Sequence, residues 1–292
     1  MKAARAWKEH YRGEREELGR SGLRALVLRA REVLLPEHGA LIFPHTHLRS
    51  SGELTAAVAR ACVLSGRDEV LALGVLHGAR EEDAPLVARA RAGDVLARRA
   101  LRGVHGPGGH ASEEFSLDGF AALLEVAAEV AAKKPPRLVE RYPFLVGPTP
   151  ADLPGLEELT RLRERGAALV ATADPIHHGV GYGTPAADHV RREAGAAFAR
   201  ATIERGLGLL AKLDFEGFLA DAQEAKSDFR DPGPVLATLL AREGVLSAEV
   251  LDVDLADYAS TLGADEPTWV AGALTCLESR PEPSSRPRRA SA

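Results

Sequence analysis

Three times along this chain a short apolar run ends on histidine. Leu41-Ile42-Phe43 stops at Pro44 and is followed by His45-Thr46-His47. Glu69-Val70-Leu71-Ala72-Leu73-Gly74 leads into Val75-Leu76-His77. Residues 167–173 lead into Asp174-Pro175-Ile176-His177-His178-Gly179. Apolar runs of this length, bounded by proline or glycine, predict strands. Apolar residues at helical spacing predict helices over 4–20, 23–35 (stopping before Pro36), 53–64, 117–132 and 154–165, and further helices over 186–210, 215–225 and 234–242. Strands are predicted over 137–146, where Pro143 marks an irregularity or an edge, and over 248–256 and 268–277. The Ala- and Arg-rich stretch 81–102 reads as one or two surface helices covering the site.

Strands alternating with helices predict an α/β protein, with one domain over residues 1–278, a central mixed β-sheet and flanking helices. Ligands in open α/β sheets bind outside the carboxyl ends of strands. Three strand ends that each deliver histidine therefore predict one assembled site. From Ser279 onward the chain has almost nothing to bury, and a disordered basic tail is expected over 279–292.

Composition removes several alternatives. The chain has 292 residues, enough to bury a core without difficulty. A net charge of −5 offers no field for nucleic acid. No run of about 18 apolar residues is present, so no membrane span is expected, and a cytoplasmic location is the default expectation. The two cysteines, Cys62 and Cys276, lie within apolar runs. They read as buried free thiols of a reducing compartment, and they are too few for a cysteine-based zinc motif. Gly103-Val104-His105-Gly106-Pro107-Gly108-Gly109-His110 lacks the Lys-Ser/Thr ending of a phosphate-binding loop. It reads as a surface connection, or as a mobile lid carrying His105 and His110.

The ordered motifs resemble the Memo family. Pro44-His45 with Ser51-Gly52 is similar to its Pro-His-Ala-Gly-Tyr…Ser-Gly opening, and Leu73-Gly74-Val75-Leu76-His77 to its Leu-Gly-Pro-Ser-His. Glu114-Phe115-Ser116-Leu117-Asp118 resembles Glu-His-Ser-Leu-Glu, and the segment from Thr172 to Gly179 resembles Ser-Ser-Asp-x-x-His-Tyr-Gly. Tyr142-Pro143-Phe144, Tyr258-Ala259-Ser260 and Trp269-Val270-Ala271 fall in matching order, so the resemblance spans about residues 40 to 277. It implies the fold of the class III extradiol ring-cleavage dioxygenases, which hold a non-haem Fe(II) at strand ends. It also implies metal ligands at His45 and His77, with a third from 174–178. The position aligned with the family's cysteine holds Ile176, which has no lone pair to offer. His177 is the expected replacement, with Asp174 second. Phe115 stands where the family has histidine, and His110 is a possible substitute. His47 replaces a small residue, either as a pocket residue or as a ligand.

Imidazole suits iron, copper and zinc alike. The expected cofactor is Fe(II), with Zn and Cu as alternatives. His178 or His110 would move protons, Asp174 and Asp118 are candidate catalytic carboxylates, and His47, Phe115 and Tyr182 would contact substrate. Three functions follow. The first is an iron oxygenase acting on a small aromatic or amino-acid-derived substrate with O₂. The second is a zinc-type hydrolase in which Asp174 is the base. The third is a binding protein with a vestigial cleft. A homodimer is left open.

Overall fold

Period-two burial builds the sheet at the centre of this protein. The computed structural model describes residues 4–77 and 84–280. Its strands are β1 (Gly39–Phe43), β2 (Glu69–Leu73), β3 (Gly103–His105), β4 (Arg137–Phe144), β5 (Ala168–Thr172), β6 (Ile176–Gly179), β7 (Val245–Asp257) and β8 (Thr268–Arg280). They lie in the order β3–β4–β2–β5–β1–β8–β6, with β7 also paired to β8. The pairings β4–β2, β2–β5 and β5–β1 are parallel, whereas β8 runs antiparallel to β1, β6 and β7. The predicted mixed α/β sheet is the observed one.

Alternate residues of the central strands enter opposite cores, as the pleat requires. Leu41, Phe43, Val70, Ala72, Ala168 and Val170 face one side. Helices α1 (Ala4–Arg29), α2 (Leu48–Leu64) and α5 (Asp118–Val130) pack there, flanked by α3 (Ala84–Arg91) and α4 (Val95–Leu101). Ile42, Leu71, Leu73, Leu169 and Ala171 face the other. That core is closed by α6 (Leu156–Glu164), α7 (Arg192–Ala211), α8 (Phe215–Glu224) and α9 (Pro232–Ala241). A last short helix, α10 (Ala259–Leu262), joins β7 to β8. The outer edge of β7 is blunted by arginines. Arg31, Arg192 and Arg200 donate to the carbonyls of Leu251, Leu255 and Val250, which removes free acceptors from an edge strand. Among the described residues no helix is long and apolar enough to cross a membrane.

Several predicted boundaries move. The helices expected over 4–20 and 23–35 meet at Gly19, whose φ of 58° only glycine adopts freely, and the second ends at Arg29. Beyond it Leu34 is 90% exposed, while Val33 and Leu35 pack against the core from a non-helical connection. Gly103–His105, read as part of a loop or lid, is an edge strand paired to Tyr142–Phe144 of β4. Residues 281–292 of the expected tail lie outside the described residues, as do residues 78–83. Ser279 and Arg280 belong to β8, so the ordered domain continues past 278.

The register positions the site. On β8, Thr275 pairs with Ile42 of β1 and Ala271 pairs with Ile176 of β6. The carboxyl end of β1 therefore faces the start of β6 across residues 272–274. Gly272 permits this approach: a Cβ there would lie 2.8 Å from both Pro44 Cβ and Ser51 Oγ.

Candidate metal centre

His45, His77 and Asp174 follow the carboxyl ends of three adjacent parallel strands, β1, β2 and β5. Their side chains meet Asp228, which lies in the turn between α8 and α9. Ligand atoms of His45, His77 and Asp228 all lie within 4.8 Å of one another, and so do those of Asp174, His177 and Asp228. The cluster can hold a metal ion, with Asp228 common to both groups.

Hydrogen bonds set the tautomer of each histidine. Thr172 donates its hydroxyl to the Phe43 carbonyl, so its oxygen, 3.1 Å from His45 Nδ1, accepts from that ring nitrogen. Glu114 Oε1 lies 3.1 Å from His77 Nδ1 and can only accept. The Lys226 carbonyl lies 2.8 Å from His177 Nδ1. Each neutral ring therefore carries its proton on Nδ1 and keeps the Nε2 lone pair for a metal. His45 Nε2 is 3.2 Å and His77 Nε2 3.5 Å from Asp228 Oδ2. That oxygen is buried and takes no well-aligned hydrogen bond, which is the condition a bound cation would relieve. The other oxygen of Asp228 accepts from the Asp174 N–H at 2.8 Å, which fixes the carboxylate plane.

The electrostatics agree with a cation site. Burial lowers the His45 imidazole, but Asp174 and Asp228 overcome it and raise the pKa to about 9. Burial raises the carboxyl of Asp174. Asp228 stays well below the usual carboxylate range because the histidine charges outweigh its burial. Glu114 is fully buried, yet His77 and the N–H groups of Phe115 and Ser116 bring its pKa down to about 2. It is a permanent carboxylate behind His77. Glu114→Gln is expected to weaken metal binding by about 10–100-fold, the usual effect of losing such an outer partner. Chelator competition measures it, and unchanged affinity would remove Glu114 from the centre.

A second layer comes from α1, which packs the aromatic side of its first half onto this end of the sheet. Tyr11 hydroxyl lies 2.6 Å from that of Tyr258, which lies 2.7 Å from Thr46 Oγ1. Thr46 and His45 in turn donate their N–H groups to Asp174 Oδ1. His47, the N-cap of α2, offers that helix no side-chain bond. Glu14 of α1 supplies it instead, accepting from the N–H groups of Leu48 and Arg49. Phe115 stacks on His77 at 4.7 Å and on Tyr11 at 5.3 Å.

Placement of the remaining sequence candidates is uneven. His177 joins the cluster and His178 does not. Strand β6 begins at Ile176, so Ile176 and His178 share the face opposite His177, while Asp174 precedes Pro175 and lies outside the alternation. His178 stacks on Trp269 at 4.5 Å, and its Nε2 accepts from the Val190 N–H. It holds the β6–α7 connection rather than a reacting proton. His110 pairs edge-on with the His105 ring at 5.4 Å, beside β3, and belongs to neither metal-range group. Asp118 is held by Arg15 at 3.1 Å in the first turn of α5. His47 stacks on Tyr258 at 4.3 Å and meets His10 Nε2 at 2.8 Å, so it is wall rather than ligand. Tyr182 stands edge-on to His177 at 4.9 Å.

Asp228 was missed because a Ser-Asp-Phe turn between two helices reads as a cap. Nothing local distinguishes it. Cys62 is buried and Cys276 half-buried, and burial pushes both thiols up to about 12. No protein-family model matches the chain. No characterised protein matches it in sequence.

Proposed function

We propose that the protein is a non-haem Fe(II) oxygenase of Memo or extradiol-dioxygenase type, acting on a small aromatic substrate together with O₂. The observation that carries this reading is the donor set of two imidazoles and one carboxylate, His45, His77 and Asp228, converging from three separate segments. Such a triad leaves coordination positions open on one side, the arrangement by which Fe(II) admits both substrate and dioxygen. Bound iron would supply the redox chemistry. His45, His77 and Asp228 would hold it, with Thr172 and Glu114 keeping both rings in the ligating tautomer.

His177 is the group placed to move a proton. Its Nδ1–H is fixed on the Lys226 carbonyl, so proton exchange with substrate falls to Nε2, beside Asp174. The Phe115 ring stacked on His77 and the Tyr182 ring edge-on to His177 place aromatic surface beside the centre, which favours an aromatic substrate.

Fe(II) added anaerobically to the metal-free protein, followed by nitric oxide, tests the assignment. A nitrosyl spectrum of high-spin iron is expected. Tight zinc retention with no response to nitric oxide would support a hydrolase in its place, with Asp174 as base. Absence of any bound metal would leave only a binding function.

A further inference from the structure

We propose that the centre takes a second divalent cation, held by Asp174, His177 and Asp228 and bridged to the first ion through the Asp228 carboxylate. The proposal rests on the reading given above, in which His45, His77 and Asp228 hold the first ion. Ligand atoms of Asp174, His177 and Asp228 lie within 4.8 Å of one another, as those of the first group do, and the two groups share Asp228 alone. Two ligand sets joined at one carboxylate are the arrangement of a two-metal site, whose ions lie about 3.5–4 Å apart.

Each member of the second set keeps an atom for an ion. The Lys226 carbonyl takes the Nδ1 proton of His177, which leaves the Nε2 lone pair. The His177 N–H is tied to the Ala225 carbonyl at 3.1 Å, so backbone and ring are both fixed. Asp174 turns Oδ1 to the N–H groups of His45 and Thr46. Its Oδ2 lies 3.8 Å from His45 Nε2, too far for a hydrogen bond. Asp228 Oδ2 is buried without a well-aligned hydrogen bond, on a side chain 7% exposed. The bond of 2.8 Å from the Asp174 N–H to Asp228 Oδ1 ties the two acidic segments together.

Charge favours the second ion as well. Asp174, Asp228 and Glu114 place three buried carboxylates around the cluster. Once His45 has given up its proton, one divalent ion leaves one of these negative charges uncompensated. A buried charge without a counter-charge is costly, and a cation beside Asp174 relieves it. The two sets also differ in kind. The first offers two imidazoles and one carboxylate, the second one imidazole and two carboxylates. The oxygen-richer set suits Mn(II) better than the nitrogen-richer one does. A second ion would occupy the Nε2 through which His177 otherwise exchanges a proton, so protein loaded with both ions lacks that exchange.

Mn(II) alone is the probe, added to the metal-free full chain, counted by equilibrium dialysis and followed by electron paramagnetic resonance. Two Mn(II) per chain are expected. The hyperfine signal of an isolated ion, present after the first equivalent, should give way to that of an exchange-coupled pair after the second. Coupling separates a bridged pair from ions held at exposed carboxylates. His177→Ala and His77→Ala each keep one intact set, so each should bind a single Mn(II) and show only the uncoupled signal. One Mn(II) per wild-type chain overturns the second site and leaves the first standing. Two uncoupled ions overturn the bridge, and so does a coupled pair in His177→Ala. Wild-type protein that takes up no divalent ion at all overturns the metal reading itself, which keeps the two failures apart.

Discussion

Asp228→Ala should weaken metal binding at the centre more than any other single substitution, because Asp228 alone belongs to both metal-range groups. Removing an outer partner of a ligand typically costs about 10–100-fold in affinity, and removing a shared ligand should exceed that range. The loss is also electrostatic. Asp228 is one of three carboxylates, with Asp174 and Glu114, that sustain positive charge at His45, so its removal weakens the field that attracts a cation. His177→Ala should cost less, since His177 takes part in one group only. His178→Ala should leave metal content unchanged while lowering stability by about 1–3 kcal/mol, because it leaves the Val190 N–H without its acceptor and opens the stack on Trp269. Metal analysis and thermal unfolding of the three variants separate these expectations. An Asp228→Ala protein with full metal occupancy would refute the assignment of the centre.

Metal affinity should climb steeply with pH. In the metal-free protein His45 holds a proton up to about pH 9, and a metal must displace that proton to reach Nε2. One proton released per ion gives about a tenfold rise in affinity for each pH unit up to about 9, and a plateau above it. Stability of the metal-free protein should move the opposite way. His45 has a raised pKa in the fold, so its contribution is complete below the unfolded value of 6.5 and disappears as pH rises through about 9. The shift corresponds to roughly 3 kcal/mol. Calorimetric titration in buffers of different ionisation enthalpy counts the released proton directly. An affinity that stays flat between pH 7 and 9 would show that His45 is not protonated in the free site.

The strand-end histidines were legible because both signals are local. A strand of five residues has one apolar run, one period and one end, and proline or glycine marks that end. The sheet class and the placement of His45 and His77 followed from this, and the choice of His177 over His178 followed from the family resemblance. Strands β3 and β6, of three and four residues, carry too little pattern to be read. They exist because β4 and β8 offer them unpaired edges. Asp228 was invisible for a stronger reason. Its carboxylate matters only because it meets two imidazoles from segments more than 150 residues earlier, and no property of Ser227-Asp228-Phe229 records that distance. The same holds for Tyr11 and Glu14, which read as ordinary helix residues until α1 lies across the sheet end. The sequence by itself determined which residues stand at the ends of strands, since burial period and chain breakers act over a few residues. Only the tertiary structure decided which carboxylate completes the centre, because a ligand set is selected by convergence in space and buried charge is stabilised by partners remote in the chain.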